Sequence, residues 1–179
     1  DLNEILHNIF SFKPTFFPGT PAMFAAIIRA PNIRSYGLSS IRACISGAAP
    51  LPVEVQETFE KLTHVRLLEG YGLTEAGPVT HADPPDRGHR AGSVGVPLPN
   101  TDARVVHRRS GETLPPGAVG ELLVKGPQVM AGYIGNGVGV DAGGWLATGD
   151  LVIMEPDGFF QFIGRIGDVI EKDGQEIYP

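Results

Sequence analysis

The chain has 179 residues, of which 42% are hydrophobic and 19% charged, a composition that allows a packed core and excludes a disordered chain. Its net charge of −6 argues against a nucleic-acid partner, because surfaces that bind nucleic acids are normally basic. One cysteine excludes an intrachain disulfide, and the sequence holds no transmembrane segment, so we expect a cytoplasmic protein.

The first half of the chain alternates short apolar runs with stretches of helical spacing. Thr20 followed by Pro21 is typical of a helix start, with a hydroxyl cap before a proline at the first helical position. The predicted helices cover Leu2–Phe10, Pro21–Arg29 and Pro52–Leu62, and the predicted strands cover Thr15–Phe17, Ile41–Ser46 and Val65–Leu68. Short strands alternating with helices predict a partial parallel sheet with covered faces.

Two loops follow successive strands of this predicted sheet, Gly47–Pro50 and Gly70–Glu75. In open α/β sheets, ligands bind beyond the carboxyl ends of the strands. We therefore expect both loops to border one crevice.

The run from Glu69 to Glu75 carries the residue types that a nucleotide and its metal would need. Its glycines favour a tight turn with exposed backbone N–H groups. Thr74 can hydrogen-bond a phosphate, Glu75 can hold a hard divalent cation, and Tyr71 can stack on a planar base. Structural roles are the alternative: a helix cap for Thr74, a first-turn carboxylate for Glu75, and a core position for Tyr71.

A second pair of candidate residues lies near the end of the chain. Asp150 closes the run Thr148–Asp150, and Arg165 follows fifteen positions later. One carboxylate and one guanidinium suit a ribose diol. A turn cap for Asp150 and a surface ion pair for Arg165 are the alternatives.

The second half of the chain predicts a polar loop over Gly77–Gly92, followed by short strands at hairpin spacing. These strands cover Ala103–His107, Glu121–Val124, Trp145–Ala147, Leu151–Met154 and Phe159–Ile163. Arg108 and Arg109 fall in a predicted solvated hairpin turn. The predicted fold is therefore α/β: a partial parallel αβ sheet subdomain followed by a small antiparallel β-barrel or sandwich subdomain.

Six segments resemble the adenylate-forming (AMP-binding) enzyme superfamily of acyl-CoA synthetases, peptide-synthetase adenylation domains and luciferases. In the family's order they are Phe17–Pro21, Ser46–Leu51, Tyr71–Glu75, Gly120–Gly126, Thr148–Asp150 and Gly164–Asp168. The amino-acid sequence of Tyr71–His81 is most similar to that of the fatty-acyl-CoA synthetase branch, the long-chain fatty acid–CoA ligases.

The resemblance implies a ligase that activates a carboxylic acid, in this branch a fatty acid, as acyl-AMP and transfers it to coenzyme A. ATP, Mg²⁺ and coenzyme A would be the cofactor and co-substrates. The implied roles are catalysis for Thr74 and Glu75; metal binding for Glu75; nucleotide binding for Gly47, Ala48, Glu69, Gly70, Tyr71, Gly72, Asp150, Phe162 and Arg165; the acyl pocket for Ala48, Ala49 and Gly72; and a hinge for Asp168.

The resemblance also implies three regions: part of the α/β nucleotide-binding subdomain over 1–90, a small β-barrel over 91–163, and the hinge with the start of a C-terminal domain over 164–179. The family's phosphate loop and C-terminal lysine are not found, so we expect an internal fragment of a larger enzyme that is inactive alone. Gly167 and Glu171 depart from the family pattern, which usually has lysine at the first and a basic or apolar residue at the second. A stand-alone AMP-binding or scaffold module and a peptide-synthetase adenylation domain remain as alternatives.

Overall fold

The computed structural model describes residues 1–84, 90, 92–135, 139–172 and 175–178. Within them the helices are α1 (Leu2–Phe12), α2 (Pro21–Ile28) and α3 (Val53–Thr63). The strands are β1 (Phe16–Gly19), β2 (Ala43–Ser46), β3 (Arg66–Gly72), β4 (Val79–Ala82), β5 (Ser93–Pro97), β6 (Asp102–Val106), β7 (Val119–Lys125), β8 (Leu146–Met154), β9 (Phe160–Arg165), β10 (Ile170–Lys172) and β11 (Gln175–Ile177).

Local signals in the sequence set the helix ends. Asp1 caps α1, because its Oδ1 accepts a hydrogen bond from Asn3 N at 3.2 Å. Thr20 caps α2, with Pro21 at the first helical position as predicted. Lys13 ends α1 in the left-handed conformation, with φ of 46°, and its N–H donates to Ile9 O. All three predicted helices are present, with ends within two residues of the prediction.

Strands β1, β2 and β3 pair in parallel, with Phe17 beside Cys44 and Cys44 beside Leu67. Side chains from the three helices and from β2 and β3 form one cluster of buried apolar residues. Cys44 lies within it, and burial raises the pKa of its thiol to about 12. The cysteine is therefore an inert core residue, as its apolar neighbours predict.

The remaining strands of the main sheet are antiparallel and continue the same hydrogen-bonded series. Its order is β1-β2-β3-β4-β5-β9-β8-β7-β6. A second cluster of buried apolar residues belongs to this half and includes Val105, Leu122 and Phe160. The predicted α/β class, parallel part first and antiparallel part second, is confirmed, while the predicted domain boundaries stay a prediction.

Three details of the sequence prediction between Glu69 and Met154 are wrong. The polar loop predicted over Gly77–Gly92 contains strand β4, whose Thr80 and His81 are fully buried; residues 85–89 and 91 lie outside the described part. The strands predicted at Trp145–Ala147 and Leu151–Met154 are one strand, β8, with a register shift between Leu151 and Val152. Polar residues and a glycine are tolerated there because neighbouring strands pair on both sides.

The third correction concerns the glycines of the Glu69–Glu75 run, which lie in β3 rather than in a turn. Gly70 pairs with Ala82 and Gly72 with Val79 of the antiparallel neighbour. A Cβ atom on Gly72 would lie 1.8 Å from the carbonyl oxygen of Pro78. Glycine is needed at this position so that the two backbones can approach each other.

After β9, a single 3₁₀ turn (Ile166–Asp168) leads into an antiparallel hairpin of β10 and β11. Arg108 pairs with Glu171 and Glu176 of that hairpin, and Arg109 with Glu171. The side chain of Arg108 is only 16% exposed, so it is not the solvated turn residue that the sequence predicts. These ion pairs give Glu171, which departs from the family pattern, a structural role.

Among the described residues, no helix has the length and apolar character that spanning a bilayer would require.

Candidate functional site

Two adjacent clefts open where β2 and β3 end, as the fold rule for α/β sheets predicts. The first cleft has a volume of about 420 Å³, and the second about 410 Å³. The first is lined by Ala48, Ala49, Pro50, Leu51, Glu69, Gly70, Tyr71, Gly72, Gly92, Val94, Asp150, Phe162 and Arg165. The second is lined by Pro18, Gly19, Ile45, Ser46, Gly47, Ala48, Gly70, Tyr71, Gly72, Leu73, Thr74, Pro78 and Val79.

One wall of the first cleft is a polar group of three residues, Tyr71, Asp150 and Arg165, which we call the Asp150 wall. Tyr71 Oη donates a hydrogen bond to Asp150 Oδ2 at 2.7 Å. Asp150 Oδ1 lies 3.3 Å from Arg165 Nε. Asp150 is 5% exposed, whereas the Arg165 side chain is 71% exposed and reaches the open side of the cleft.

Strand geometry brings this wall together from distant parts of the sequence. Asp150 and Arg165 are directly opposite on β8 and β9. Gly149 has a φ of +74°, a conformation that glycine adopts without strain. Thr148 Oγ1 donates to Leu122 O at 2.9 Å and accepts from Asp150 N at 3.1 Å. The Thr148–Asp150 run is therefore an irregular stretch within β8, and it places the Asp150 carboxylate within hydrogen-bond distance of Tyr71.

The electrostatics of the Asp150 wall favour hydrogen bonding over proton transfer. Burial, followed by the hydrogen bond to Asp150, raises the pKa of the Tyr71 phenol well above its ordinary value. Tyr71 therefore stays a neutral donor. Asp150 Oδ1 is buried and accepts no hydrogen bond from the described residues. A buried carboxylate oxygen in this state is suited to a ligand hydroxyl.

The opposite wall is the loop after β2, and Glu69 holds it in place. Glu69 Oε1 accepts a hydrogen bond from Leu51 N at 3.1 Å, and Glu69 N donates to Asp83 Oδ2 at 2.9 Å. Glu69 is 8% exposed, and its pKa is raised to about 7, chiefly by burial, with the nearby Asp83 adding to the rise. Ala48 lies in this loop with a φ of 69°, unusual for a residue with a side chain.

His81 lies beneath the site, and the sequence assigned it no role. It is opposite Tyr71 on β4, fully buried, with its ring edge-on to Tyr71 at 5.7 Å and to Phe160 at 4.7 Å. Burial lowers its pKa to about 4, so it is neutral at physiological pH. Its position could have been found only by recognising Val79–Ala82 as a strand.

Thr74 and Glu75 lie beside the clefts in a short 3₁₀ turn, Thr74–Ala76, which we call the Glu75 turn. Leu73, not Thr74, occupies the cap position, so the helix-cap alternative for Thr74 is wrong. Thr74 is exposed and lines the second cleft. Glu75 is partly buried and lines neither cleft; its Oε1 accepts a hydrogen bond from Tyr133 Oη at 2.9 Å.

The structure thus brings together most of the residues that the sequence singled out. Those in the two clefts are Gly47, Ala48, Ala49, Glu69, Gly70, Tyr71, Gly72, Thr74, Asp150, Phe162 and Arg165. Glu75 flanks them, and Asp168 lies in the turn after β9, outside both linings. Gly72 borders the clefts, but its missing Cβ would point at the Pro78 backbone. Its need for glycine is therefore structural, not a matter of leaving an acyl path open.

Comparison with known proteins gives a consistent family match. A family model described as AMP-binding enzyme matches residues 1–134. The chain is 46% identical to a long-chain-fatty-acid–CoA ligase of Bacillus subtilis, over 98% of the chain and 32% of that protein. It is 34% identical to a 4-coumarate–CoA ligase-like protein of Arabidopsis thaliana, over 100% of the chain and 33% of that protein. The chain spans about a third of the length of these curated relatives.

Solved structures agree in fold. An anthranilate CoA ligase in complex with anthranoyl-AMP superimposes with a TM-score of 0.88 and 29% identity, over 99% of the chain and 35% of that structure. The O-succinylbenzoate coenzyme A synthetase of Bacillus subtilis, in complex with ATP and magnesium ion, superimposes with a TM-score of 0.85 and 28% identity. The match covers 100% of the chain and 37% of that structure.

Proposed function

The chain belongs to the AMP-binding enzyme family, and from this membership and the two clefts we propose that it is the nucleotide-binding part of an ATP-dependent acyl-CoA ligase. The observation that carries the proposal is the Asp150 wall. A buried carboxylate whose Oδ1 accepts no hydrogen bond from the described residues, and lies 3.3 Å from the Nε of an exposed guanidinium, is the arrangement that a ribose diol needs.

In this proposal the nucleoside occupies the first cleft. Asp150 accepts from a ribose hydroxyl and Arg165 covers the same edge of the sugar, while Tyr71 holds Asp150 in place. Gly70, Tyr71, Gly72 and Glu69 of β3, with Gly47 and Ala48 of the facing loop, frame the base, and Phe162 packs on the nucleoside. The support is that all but Gly47 line one cavity, and Gly47 lines the second cleft beside it.

The acyl group would enter the second cleft, which shares Ala48, Gly70, Tyr71 and Gly72 with the first. Much of its remaining wall is apolar, with Pro18, Ile45 and Val79, so it suits a hydrocarbon chain. Ala48 at the junction of the two clefts and Ala49 in the first cleft are small, which leaves room on that side. A fatty acid is the proposed substrate, and the name of the Bacillus subtilis relative supports that choice.

Magnesium would be held by Glu75, with Thr74 binding a phosphate oxygen. Among the described residues no group of three or more His, Cys, Asp or Glu side chains is placed to hold a metal ion. A single carboxylate still fits Mg²⁺, because this ion commonly takes one or two protein carboxylates and completes its shell with phosphates and water. When bound, the ion would neutralise charge that develops on the phosphates.

The proposed reaction has two steps. A carboxylate oxygen of the acid bonds to the α-phosphorus of ATP while the α–β anhydride bond breaks, giving acyl-AMP and pyrophosphate. The sulfur of coenzyme A then bonds to the acyl carbon, AMP leaves, and the thiol proton passes to solvent. The residues of this chain contribute alignment: the Asp150 wall fixes the nucleoside, and the shared loop at Ala48 sets the acid beside the α-phosphate. Asp168 would be the hinge between the two steps.

The test is a hybrid enzyme in which this chain replaces the matching 32% of the Bacillus subtilis ligase. We expect the hybrid to form acyl-CoA from palmitate, ATP and coenzyme A, and its Asp150→Asn variant to lose at least tenfold in kcat/KM. The chain alone should form no acyl-adenylate. A folded hybrid that binds AMP but activates no fatty acid would contradict the proposed substrate class.

A further inference from the structure

The segment that follows β7, residues 126–135, holds Glu75 at two points. Met130 N donates a hydrogen bond to the backbone oxygen of Glu75 at 2.8 Å. Tyr133 Oη donates to the side-chain oxygen Oε1 of the same residue at 2.9 Å. The backbone and the carboxylate of Glu75 are therefore both fixed by one short stretch that is distant in sequence.

This segment is itself anchored to the antiparallel half of the sheet. Gln128 Nε2 donates to the buried Thr101 Oγ1 at 2.7 Å. Val129 and Met130 pack against the second cluster of buried apolar side chains. A Cβ on Gly77 would lie 3.0 Å from Gln128 O, so the segment lies directly against the end of the Glu75 turn. Tyr133 thus extends from a fixed base.

We propose that Tyr133 is a positioning residue for Glu75: it occupies Oε1, which leaves Oε2 for the divalent cation that accompanies ATP. This inference rests on the proposed function, in which Glu75 holds that cation. A free glutamate side chain samples many rotamers, and ordering it on binding costs conformational entropy. A hydrogen bond that preselects one arrangement lowers this cost, as outer partners of metal ligands commonly do.

The expected effect is moderate, because the Tyr133 side chain belongs to a residue that is 51% exposed. Loss of an outer hydrogen bond to a metal ligand typically weakens metal binding by about tenfold to a hundredfold, and an exposed bond should fall at or below the lower end. We therefore expect Tyr133→Phe to weaken ATP-dependent metal binding by about threefold to tenfold.

The experiment measures Mn²⁺ binding to the chain with ATP present, by the electron paramagnetic resonance signal of free Mn²⁺, after subtraction of the Mn²⁺ that the same ATP binds in a protein-free titration. Mn²⁺ is chosen because it accepts the same oxygen ligands as Mg²⁺. The variants are Tyr133→Phe, Glu75→Gln and the matched control Tyr178→Phe, whose hydroxyl donates to Glu176 at 2.8 Å on the terminal hairpin. Affinity for AMP without metal is measured on each variant.

Support for the inference is weaker Mn²⁺ binding in Tyr133→Phe, a larger loss in Glu75→Gln, and no change in Tyr178→Phe. AMP affinity without metal should be the same in all four proteins. If Glu75→Gln leaves Mn²⁺ binding intact, or the unchanged chain binds no Mn²⁺ with ATP, the proposed metal role fails and this inference fails with it.

If Glu75→Gln weakens binding and Tyr133→Phe does not, the metal role stands and the positioning role is overturned. A Tyr133→Phe variant that also loses AMP affinity without metal would show a general structural role and overturn it too.

Discussion

The Asp150 wall and the Glu75 turn lie on the same crevice but are built in different ways. The wall is centred on a buried carboxylate: Asp150 is 5% exposed and accepts a 2.7 Å hydrogen bond from Tyr71. The turn lies in more open surroundings, with Thr74 exposed and the Glu75 carboxylate held by a half-exposed tyrosine. The carboxylate of the wall is therefore held by a partly buried hydrogen bond, and the carboxylate of the turn by an exposed one.

This difference follows from the chemistry that each region is proposed to serve. A ribose offers neutral hydroxyls, and selective hydrogen bonding to them needs a preformed, water-poor acceptor. A metal–phosphate group brings its own charge and most of its own ligands, so the protein needs to supply only one oxygen. We expect nucleoside affinity to reside in the wall and metal dependence in the turn.

Disturbing the strand pairing beneath both regions should destabilise the protein most. A Cβ on Gly72 would lie 1.8 Å from the Pro78 carbonyl oxygen, so Gly72→Ala forces β3 and β4 apart. We expect a loss of about 3 kcal/mol or more in the free energy of unfolding, measured by urea denaturation. Gly47→Ala is the matched control, because its Cβ would meet Gly70 O at an ordinary 3.4 Å. Equal stability of the two variants would contradict the close approach.

Two buried groups beside the wall should give opposite pH dependences. The pKa of His81 is lowered to about 4, so the unfolded chain binds the extra proton and stability from this group rises between pH 4 and 6.5. The pKa of Glu69 is raised to about 7, so the folded chain binds the extra proton and stability falls between pH 4.5 and 7. Each contribution is about 3 kcal/mol, and they largely cancel where the ranges overlap.

Substitution of each residue separates the contributions of His81 and Glu69 to the free energy of unfolding, measured by urea titration at several pH values. His81→Gln leaves the Glu69 contribution, so its stability should fall as pH rises from 4.5 to 7, relative to the unchanged chain. Glu69→Gln leaves the His81 contribution, so its stability should rise from pH 4 to 6.5. Parallel pH profiles for all three proteins would show that neither group is buried as described.

The wall can be weakened without a steric clash by Tyr71→Phe. This variant removes the donor to Asp150 Oδ2 and leaves that oxygen buried with less compensation. We expect a loss of about 1–3 kcal/mol in stability and weaker AMP binding, by denaturation and calorimetry. The affinity for Mn²⁺ with ATP present should fall by no more than the affinity for AMP does. A variant with full AMP affinity would mean that Tyr71 does not organise the wall.

The smallest effect should come from the ion pairs between Arg108 and the terminal hairpin. Arg108→Ala removes partners from Glu171 and Glu176, which should lower the melting temperature slightly at low salt. In 1 M salt the difference should shrink, since salt screens the attraction between Arg108 and the more exposed carboxylates of Glu171 and Glu176. A salt-independent difference would indicate packing rather than charge. Neither AMP binding nor metal binding should change.

Much of the site could be predicted from sequence because its signals are local. Thr20 and Pro21 specify a helix start, and the loop after β2 follows from the alternation of strand and helix. The pairing of Asp150 with Arg165 follows from a short hairpin between β8 and β9. Each of these depends on neighbours within about fifteen residues.

What could not be predicted depends on partners far away in the chain. Strand β5 pairs with β9, with Ser93 beside Gln161, and no local pattern marks that contact. His81 is buried because Tyr71 and Phe160 cover it, and Phe160 belongs to a strand nearly eighty residues later. The hydrogen bond from Tyr133 to Glu75 spans 58 positions. The residues of the Asp150 wall could therefore be predicted from the sequence, whereas the distant residues that pack against the site could not.

The most direct test of the Asp150 wall as a nucleoside site is a calorimetric titration of the chain with AMP in the absence of metal. We predict measurable binding, at least tenfold weaker in Asp150→Asn and unchanged in Asp102→Asn, whose exposed carboxylate lies on the far edge strand β6. Circular dichroism checks that each protein is folded. A folded chain that does not bind AMP, or an Asp150→Asn variant that binds it equally well, would contradict the claim that the Asp150 wall is a preformed nucleoside site.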